Sequence, residues 1–280
     1  MMVSQFARRS WRGACLTLLL SMIAVGVCAQ PAKKEFEPQV GQEGKDVIWV
    51  PTPQGLIDKM LNMANVTASD YVIDLGSGDG RTVIAAAKLG ARALGIEYNP
   101  DMVELSIRNA EKAGVSDKAK FMKADIFESD YSQATVITMY LLPNLNLKLR
   151  PKILTLKPGT RIVSHAFTMD DWQADQTESF DGRTAYMWIV PARVEGSWQL
   201  AQGLLTLAQN FQMLVGTFAS GGNTVMITNG RVRGDQVSFT AGNSDYTGRI
   251  NGNTIEGTVR GATSGAWNAT RVNGKPAAAK

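Results

Sequence analysis

Three glycines at alternate positions, Gly76, Gly78 and Gly80, separate a β-branched run ending in Asp74 from Thr82-Val83-Ile84-Ala85-Ala86-Ala87-Lys88, a stretch of helix-forming composition. A strand, a tight turn and a helix are the expected elements. Glycine permits positive φ and lets a ligand approach the backbone, and the helix that follows offers free N–H groups and the positive end of its dipole. A polar or anionic small molecule is therefore expected across the turn. The spacing, Gly76-x-Gly78-x-Gly80 with Asp74 two residues earlier, departs from the Gly-x-Gly-x-x-Gly of dinucleotide sites.

The downstream sequence extends the pattern. Arg92-Ala93-Leu94-Gly95-Ile96-Glu97 predicts a second strand, and Glu97 falls 23 residues after Asp74, near the ~20-residue offset at which an acid reaches ribose hydroxyls in such folds. Thr52-Pro53 has the form of an N-cap followed by proline, and Leu56, Ile57, Met60, Leu61 and Ala64 give the helix after it one apolar face. Asn99-Pro100 repeats the device before a helix whose expected buried face is Val103, Ser106, Ile107 and Ala110, stopping near Gly114. Lys120 to Asp125, Ala134 to Tyr140 and Thr160 to Ser164 predict three more strands, and Ala185 to Val190 a late edge strand. Leu145 to Leu154 reads as a helix kinked or split at Pro151. The alternation predicts an α/β, doubly wound Rossmann-like sheet. Chemistry in such sheets gathers at the carboxyl ends of the strands, which makes Tyr140 and Asn144 positioning candidates. A rim aromatic with its hydroxyl in water is the other reading of Tyr140, and His165, the single histidine, is a candidate base for which a structural role is the favoured reading.

From Val50 to about Phe167, a little under half the chain, the order of features resembles one branch of the class I methyltransferases that use S-adenosylmethionine (SAM). The residues that carry the likeness are Pro51-Thr52-Pro53, Asp74 to Arg81, Glu97, Lys123-Ala124-Asp125, Leu141-Leu142-Pro143-Asn144-Leu145 and Leu156 to Ser164. That branch includes lysine methyltransferases related to the nucleosome-core and mitochondrial ATP-synthase c-subunit enzymes. The resemblance implies SAM as cofactor, with Asp74, Gly76, Gly78, Gly80 and Glu97 around it, Asp125 facing the adenine amino group and Thr52 near the amino-acid end. Met139 to Asn144 replaces the Asn-Pro-Pro-Tyr segment of several amino-group methyltransferases, so the acceptor, a protein lysine, another protein group or a small molecule, stays open. The rival reading is an exported, non-catalytic binding protein that keeps the fold.

Composition shifts near Arg193: residues 194–280 hold 14 of the 27 glycines. Leu205, Leu207, Phe211, Met213 and Val215 share one parity, broken only by Gln209, and Val237 with Phe239 and Ile255 with Val259 alternate likewise. Gly230 to Val237 echoes Gly248 to Ile255, and Asn251-Gly252 is a favoured hairpin turn. A small antiparallel β barrel or sandwich is expected, plugged by Trp198 and Trp267. The expected organisation is a signal peptide at 1–29, a polar linker at 30–46, a methyltransferase domain at 47–193, an all-β domain at 194–274 and a tail at 275–280.

Residues 1–29 carry Arg8, Arg9 and Arg12 ahead of the uncharged run Ala14 to Ala29, shorter than the ~20 residues of a spanning helix. This reads as a secretory leader cleaved before Gln30, with an uncleaved membrane anchor as the alternative. Its loss removes three arginines and no acid, bringing the formal charge from +4 to about +1. That balance shows no nucleic-acid footprint. Both cysteines, Cys15 and Cys28, leave with it, and Asp170-Asp171 reads as a solvated loop, so no metal site is expected. A periplasmic protein free of the membrane should begin near Gln30 by intact-mass analysis; cytosolic protein that retains Met1 would refute export.

Overall fold

The computed structural model describes residues 35–262 and 264–272; the expected leader, the first part of the linker and the tail lie outside them. Strand β1 (Tyr71–Leu75) is central, and its alternate residues serve two cores. Val72 packs with Leu56, Leu61, Val83 and Ala86 under helices α1 (Gln54–Met63), α2 (Arg81–Lys88) and α3 (Pro100–Lys112). Ile73 and Leu75 point the other way, to Leu145, Leu149 and Ile153 of α4 (Pro143–Ile153) and to Trp172 and Trp188. Burial on both faces is what parallel strands with crossover helices require.

With β2 (Arg92–Glu97), β3 (Ala119–Lys123), β4 (Val136–Met139), β5 (Arg161–His165), β6 (Gln176–Phe180) and β7 (Arg183–Ile189), the sheet order is β3-β2-β1-β4-β5-β7-β6. β1 to β5 are parallel, and β7 runs antiparallel to β5. The order reverses on either side of β1, which opens a crevice beyond the carboxyl ends of β1 and β4.

Four local expectations change. The late strand β7 is not at the edge: it forms a hairpin with β6, which lies outside it and whose mostly exposed residues carry no apolar alternation. α1 is capped by the extended Pro53 with no side-chain cap bond, because the Thr52 hydroxyl is engaged with His165 instead. The buried face of α3 is Met102, Ser106 and Ala110, with Ile107 exposed, since Met102 turns in against Gly78 and Gln42. α4 continues through Pro151, which lies in its last turn, where a single backbone bond is lost and the helix ends shortly after.

The C-terminal region is a closed eight-stranded antiparallel barrel: β8 (Gly196–Leu200), β9 (Gly203–Asn210), β10 (Met213–Ser220), β11 (Asn223–Arg233), β12 (Gln236–Ala241), β13 (Ser244–Asn251), β14 (Thr254–Gly261) and β15 (Gly265–Arg271). β15 pairs with β8, so no strand edge is left open. Trp198 and Trp267 are buried in its core, and Phe239 stacks on Tyr246 at 4.8 Å. The echoed segments are successive hairpins whose two-residue turns are Gly234-Asp235 and Gly252-Asn253, so Asn251 closes its strand rather than opening the turn.

The long parity run breaks at a turn. Leu205 and Leu207 point inward, but Phe211-Gln212 joins β9 to β10, Gln209 faces Leu214, and the inward residues become Leu214 and Phe218. Met213 and Val215 therefore face out, 45% and 63% exposed. Leu214→Ala should cost about 2–5 kcal/mol of stability. Met213→Ala should stay within about 0.5 kcal/mol. Equal losses in urea denaturation would refute this register.

Candidate active site

The glycine turn is left-handed three times over, with φ of +78° at Gly76, +55° at Gly78 and +82° at Gly80. A Cβ on Gly78 would lie 2.7 Å from the Trp49 indole nitrogen, and one on Gly80 2.7 Å from the Phe121 ring. Both positions thus need glycine for backbone angle and for space. Both backbone groups of Gly78 are paired: its N–H donates to Glu97 Oε2 (2.9 Å), and the Ser106 hydroxyl donates to its carbonyl (2.8 Å).

A cavity of about 700 Å³ opens over this turn. Among its lining are Thr52, Asp74, Gly76, Gly78, Glu97, Asp125 and Tyr140, which brings together all the expected site residues except Gly80 and Asn144. Gly80 stands directly behind, as the left-handed residue before α2. Asn144 sits exposed in the first turn of α4, outside the lining, while Asn146, two residues on, is buried.

Asp74 is buried and accepts a hydrogen bond from the Thr138 hydroxyl (2.7 Å). Burial pushes its pKa up to about 7; the Thr138 bond opposes this, and the charges of Glu97 and Asp79 add to it. Glu97 Oε1 also accepts from the Asn99 N–H (2.9 Å), so one carboxylate ties the glycine turn to the start of α3. Asp125 is paired with Lys45 and accepts from the Phe127 N–H (2.8 Å); the Lys45 bond chiefly holds its pKa below the usual carboxylate value. Thr52 Oγ1 lies 3.0 Å from His165 Nδ1. His165 is buried under the Tyr140 ring at 3.8 Å, and burial, with Arg183 nearby, lowers its pKa to about 4. It is a neutral support at physiological pH, too weak a base for an amine.

Sequence reasoning missed several lining residues. Gln42 to Trp49 form a short hairpin, joined by Trp49 N–H to Gln42 carbonyl (2.9 Å) and a Glu43–Ile48 bridge, and this strap carries Lys45 and Trp49 to the cavity. Part of the stretch expected as a linker, residues 42–46, thus lines the site. The apolar quartet Val47 to Val50 before Pro51 was the available signal. Arg81 grips Asp79 and donates to the Thr52 carbonyl (3.1 Å), and Phe167 closes the side next to Tyr140. Among the described residues, no cluster of potential metal ligands is present and no helix is long and apolar enough to cross a membrane.

A cradle of left-handed glycines, with acids at the ends of β1 and β2 in a β3-β2-β1-β4-β5-β7-β6 sheet, defines a SAM-dependent methyltransferase. Residues 74–176 match the ANTKMT methyltransferase domain. The protein-lysine N-methyltransferase of Saccharolobus islandicus is 41% identical over 151 residues, covering 51% of this chain and 94% of that protein. The adenine nucleotide translocase lysine N-methyltransferase of Mus musculus is 36% identical over 36% of this chain, which spans 45% of that enzyme's length. A solved structure, an RNA methyltransferase from Salinibacter ruber in complex with S-adenosyl-L-homocysteine, is 49% identical with a TM-score of 0.51, covering 52% of this chain and 96% of that one. The chain belongs to the ANTKMT-type family of SAM-dependent methyltransferases, and it is an enzyme of that class.

The raised pKa of Asp74 has a definite sign. Between about pH 4 and pH 7 the unfolded chain releases a proton that the ligand-free folded chain keeps, so this group's contribution to stability falls as pH rises through that window and is level above it. Urea denaturation should show this slope in the native chain relative to Asp74→Asn. Parallel stability profiles for the two proteins would refute it.

Proposed function

We propose that this enzyme methylates the ε-amine of lysine in a protein acceptor, with SAM lying along the glycine turn. The observation that carries the acceptor is that the two cations lining the cavity, Lys45 and Arg81, are both already paired with acids, Asp125 and Asp79, while Glu43 and Asp46 add negative charge on the strap. Such a mouth attracts an ammonium and repels a polyphosphate. That favours lysine over RNA, the acceptor class named for the Salinibacter structure. The lysine enzyme of Saccharolobus, matched over nearly its whole length, supports the same choice.

In this reading, Gly76, Gly78 and Gly80 leave room for the cofactor backbone, Glu97 accepts from the ribose hydroxyls with its unused lone pairs, and Asp125 meets the adenine amino group beside Lys45. Asp74 and Thr52 face the amino-acid end. SAM supplies an electrophilic methyl group when bound. Tyr140, Phe167 and Leu142 form an apolar wall on the other side of the cavity, fit for the alkyl stem of lysine. Deprotonating an amine of pKa ~10.4 at pH 7 costs about 4–5 kcal/mol. Desolvation against that wall lowers the amine pKa, and the proton leaves to water because His165 is shielded and weakly basic. Alignment of the amine with the methyl group then carries much of the rate. Export of the enzyme is proposed on the pattern of residues 1–29 alone.

Two measurements test the reading. Radiolabelled SAM with fractionated bacterial protein should label lysine, located by mass spectrometry; label confined to RNA would refute the acceptor. By calorimetry, Glu97→Ala should weaken SAM binding by about 2–4 kcal/mol, roughly 30- to 1,000-fold, through loss of charge-assisted bonds. Unchanged affinity in a folded variant would remove Glu97 from the cofactor site.

A further inference from the structure

The loop between β5 and β6, residues 166–175, touches the cavity at one end and the barrel at the other. At the inner end the Phe167 N–H donates to the His165 carbonyl (2.8 Å) around Ala166 at φ +64°, a γ-turn in its strained form. This turn directs Phe167 to the cavity beside Tyr140, their ring centroids 6.2 Å apart. The Ser164 hydroxyl (2.7 Å) and the Asn146 amide (3.3 Å) both donate to the Phe167 carbonyl, and Asn146 also to that of Thr168 (3.2 Å).

At the outer end the loop is gripped by the barrel. Trp172, fully buried, stacks on Phe211 at 5.7 Å with 16° between the rings, and the Arg150 guanidinium covers the same ring at 5.3 Å. The Gln212 amide donates to the Gln173 carbonyl (2.7 Å), and Arg231 donates to Asp175 (2.5 Å), whose side chain is only 4% exposed. Phe211 itself adopts φ +51° in the β9–β10 turn. A two-residue hairpin turn ordinarily puts glycine or asparagine at such an angle. A bulky residue held there marks a constraint beyond turning the chain: in this turn, the ring must reach Trp172.

We infer that the barrel is a positioning module for methyl transfer: through Phe211, Gln212 and Arg231 it holds the β5–β6 loop, and with it Phe167, as the acceptor-side wall of the cavity. The inference rests on the lysine-acceptor reading for its substrate, whereas its mechanical part does not. Phe211, Gln212 and Arg231 are positioning residues. None of them lines the cavity.

The test uses the full chain saturated with S-adenosylhomocysteine, comparing Phe211→Asn, which removes the ring but tolerates positive φ, with Phe211→Tyr, which restores it. Amide hydrogen exchange over 166–175 should rise roughly tenfold or more in Phe211→Asn and return in Phe211→Tyr, with β1 and β2 unchanged. With poly-L-lysine as probe, Phe211→Asn should raise the KM for poly-L-lysine several-fold and leave the KM for SAM within about twofold. Arg231→Met should act in the same direction. Unchanged exchange over 166–175 in folded Phe211→Asn, or equal loss toward both substrates, would overturn the inference. Absence of transfer to poly-L-lysine by the unmodified enzyme would count against lysine as acceptor, and the exchange result would still decide the brace.

Discussion

The hydrogen bond from the Gly78 N–H to Glu97 is the interaction on which the site depends. It crosses from the turn after β1 to the end of β2, and the other oxygen of the same carboxylate receives the Asn99 N–H at the start of α3. A backbone that turns through three left-handed residues exposes amides and carbonyls that no regular element satisfies, and buried ones must be paired. Ser106 takes the Gly78 carbonyl and Asn109 that of Asp79, so α3 completes what Glu97 begins. The floor of the cavity is thus rigid backbone, held on both sides by side chains from neighbouring elements.

Electrostatics divides the cavity into two parts. Its glycine side is rich in carboxylates, of which Asp74 is driven toward neutrality by burial and Asp125 kept ionised by Lys45. Another part is aromatic and apolar, where Tyr140 meets both His165 and Phe167. The only histidine is spent on support: burial keeps it neutral, and its Nδ1 is engaged with Thr52. Catalysis in such a site has to come from placement and desolvation more than from proton transfer by a resident base.

The barrel closes on itself and fills its interior with side chains of its own. To the sheet domain it presents the Phe211-Gln212 turn and Arg231, which meet the β5–β6 loop and, at Phe211, Arg150 of α4, and also Gly234, which lies against Gly159. One of these contacts, at the β5–β6 loop, falls on the segment that also walls the cavity. Motion at that contact would therefore be felt at Phe167.

Local chemistry alone determined the glycine turn, the acids that end β1 and β2, the Asn99 cap of α3 and the change to strand periodicity after Arg193, because each is a pattern over adjacent residues. Asp74, Glu97, Asp125 and Tyr140 were legible for that reason: each stands at or just beyond the end of an apolar strand, where the fold places its crevice. Tertiary structure decided what depends on distant partners. Thr52 caps no helix because His165, far along the chain, takes its hydroxyl; β6 is a strand because β7 pairs with it, not because its residues alternate; and Met213 faces out because the turn at Phe211 reverses the parity. The strap that brings Lys45 and Trp49 over the cavity, and the loop that brings Phe167, are irregular segments without periodicity, and what holds them is Asp125, the glycine turn and the barrel, contacts between residues far apart in the chain that no sequence window contains.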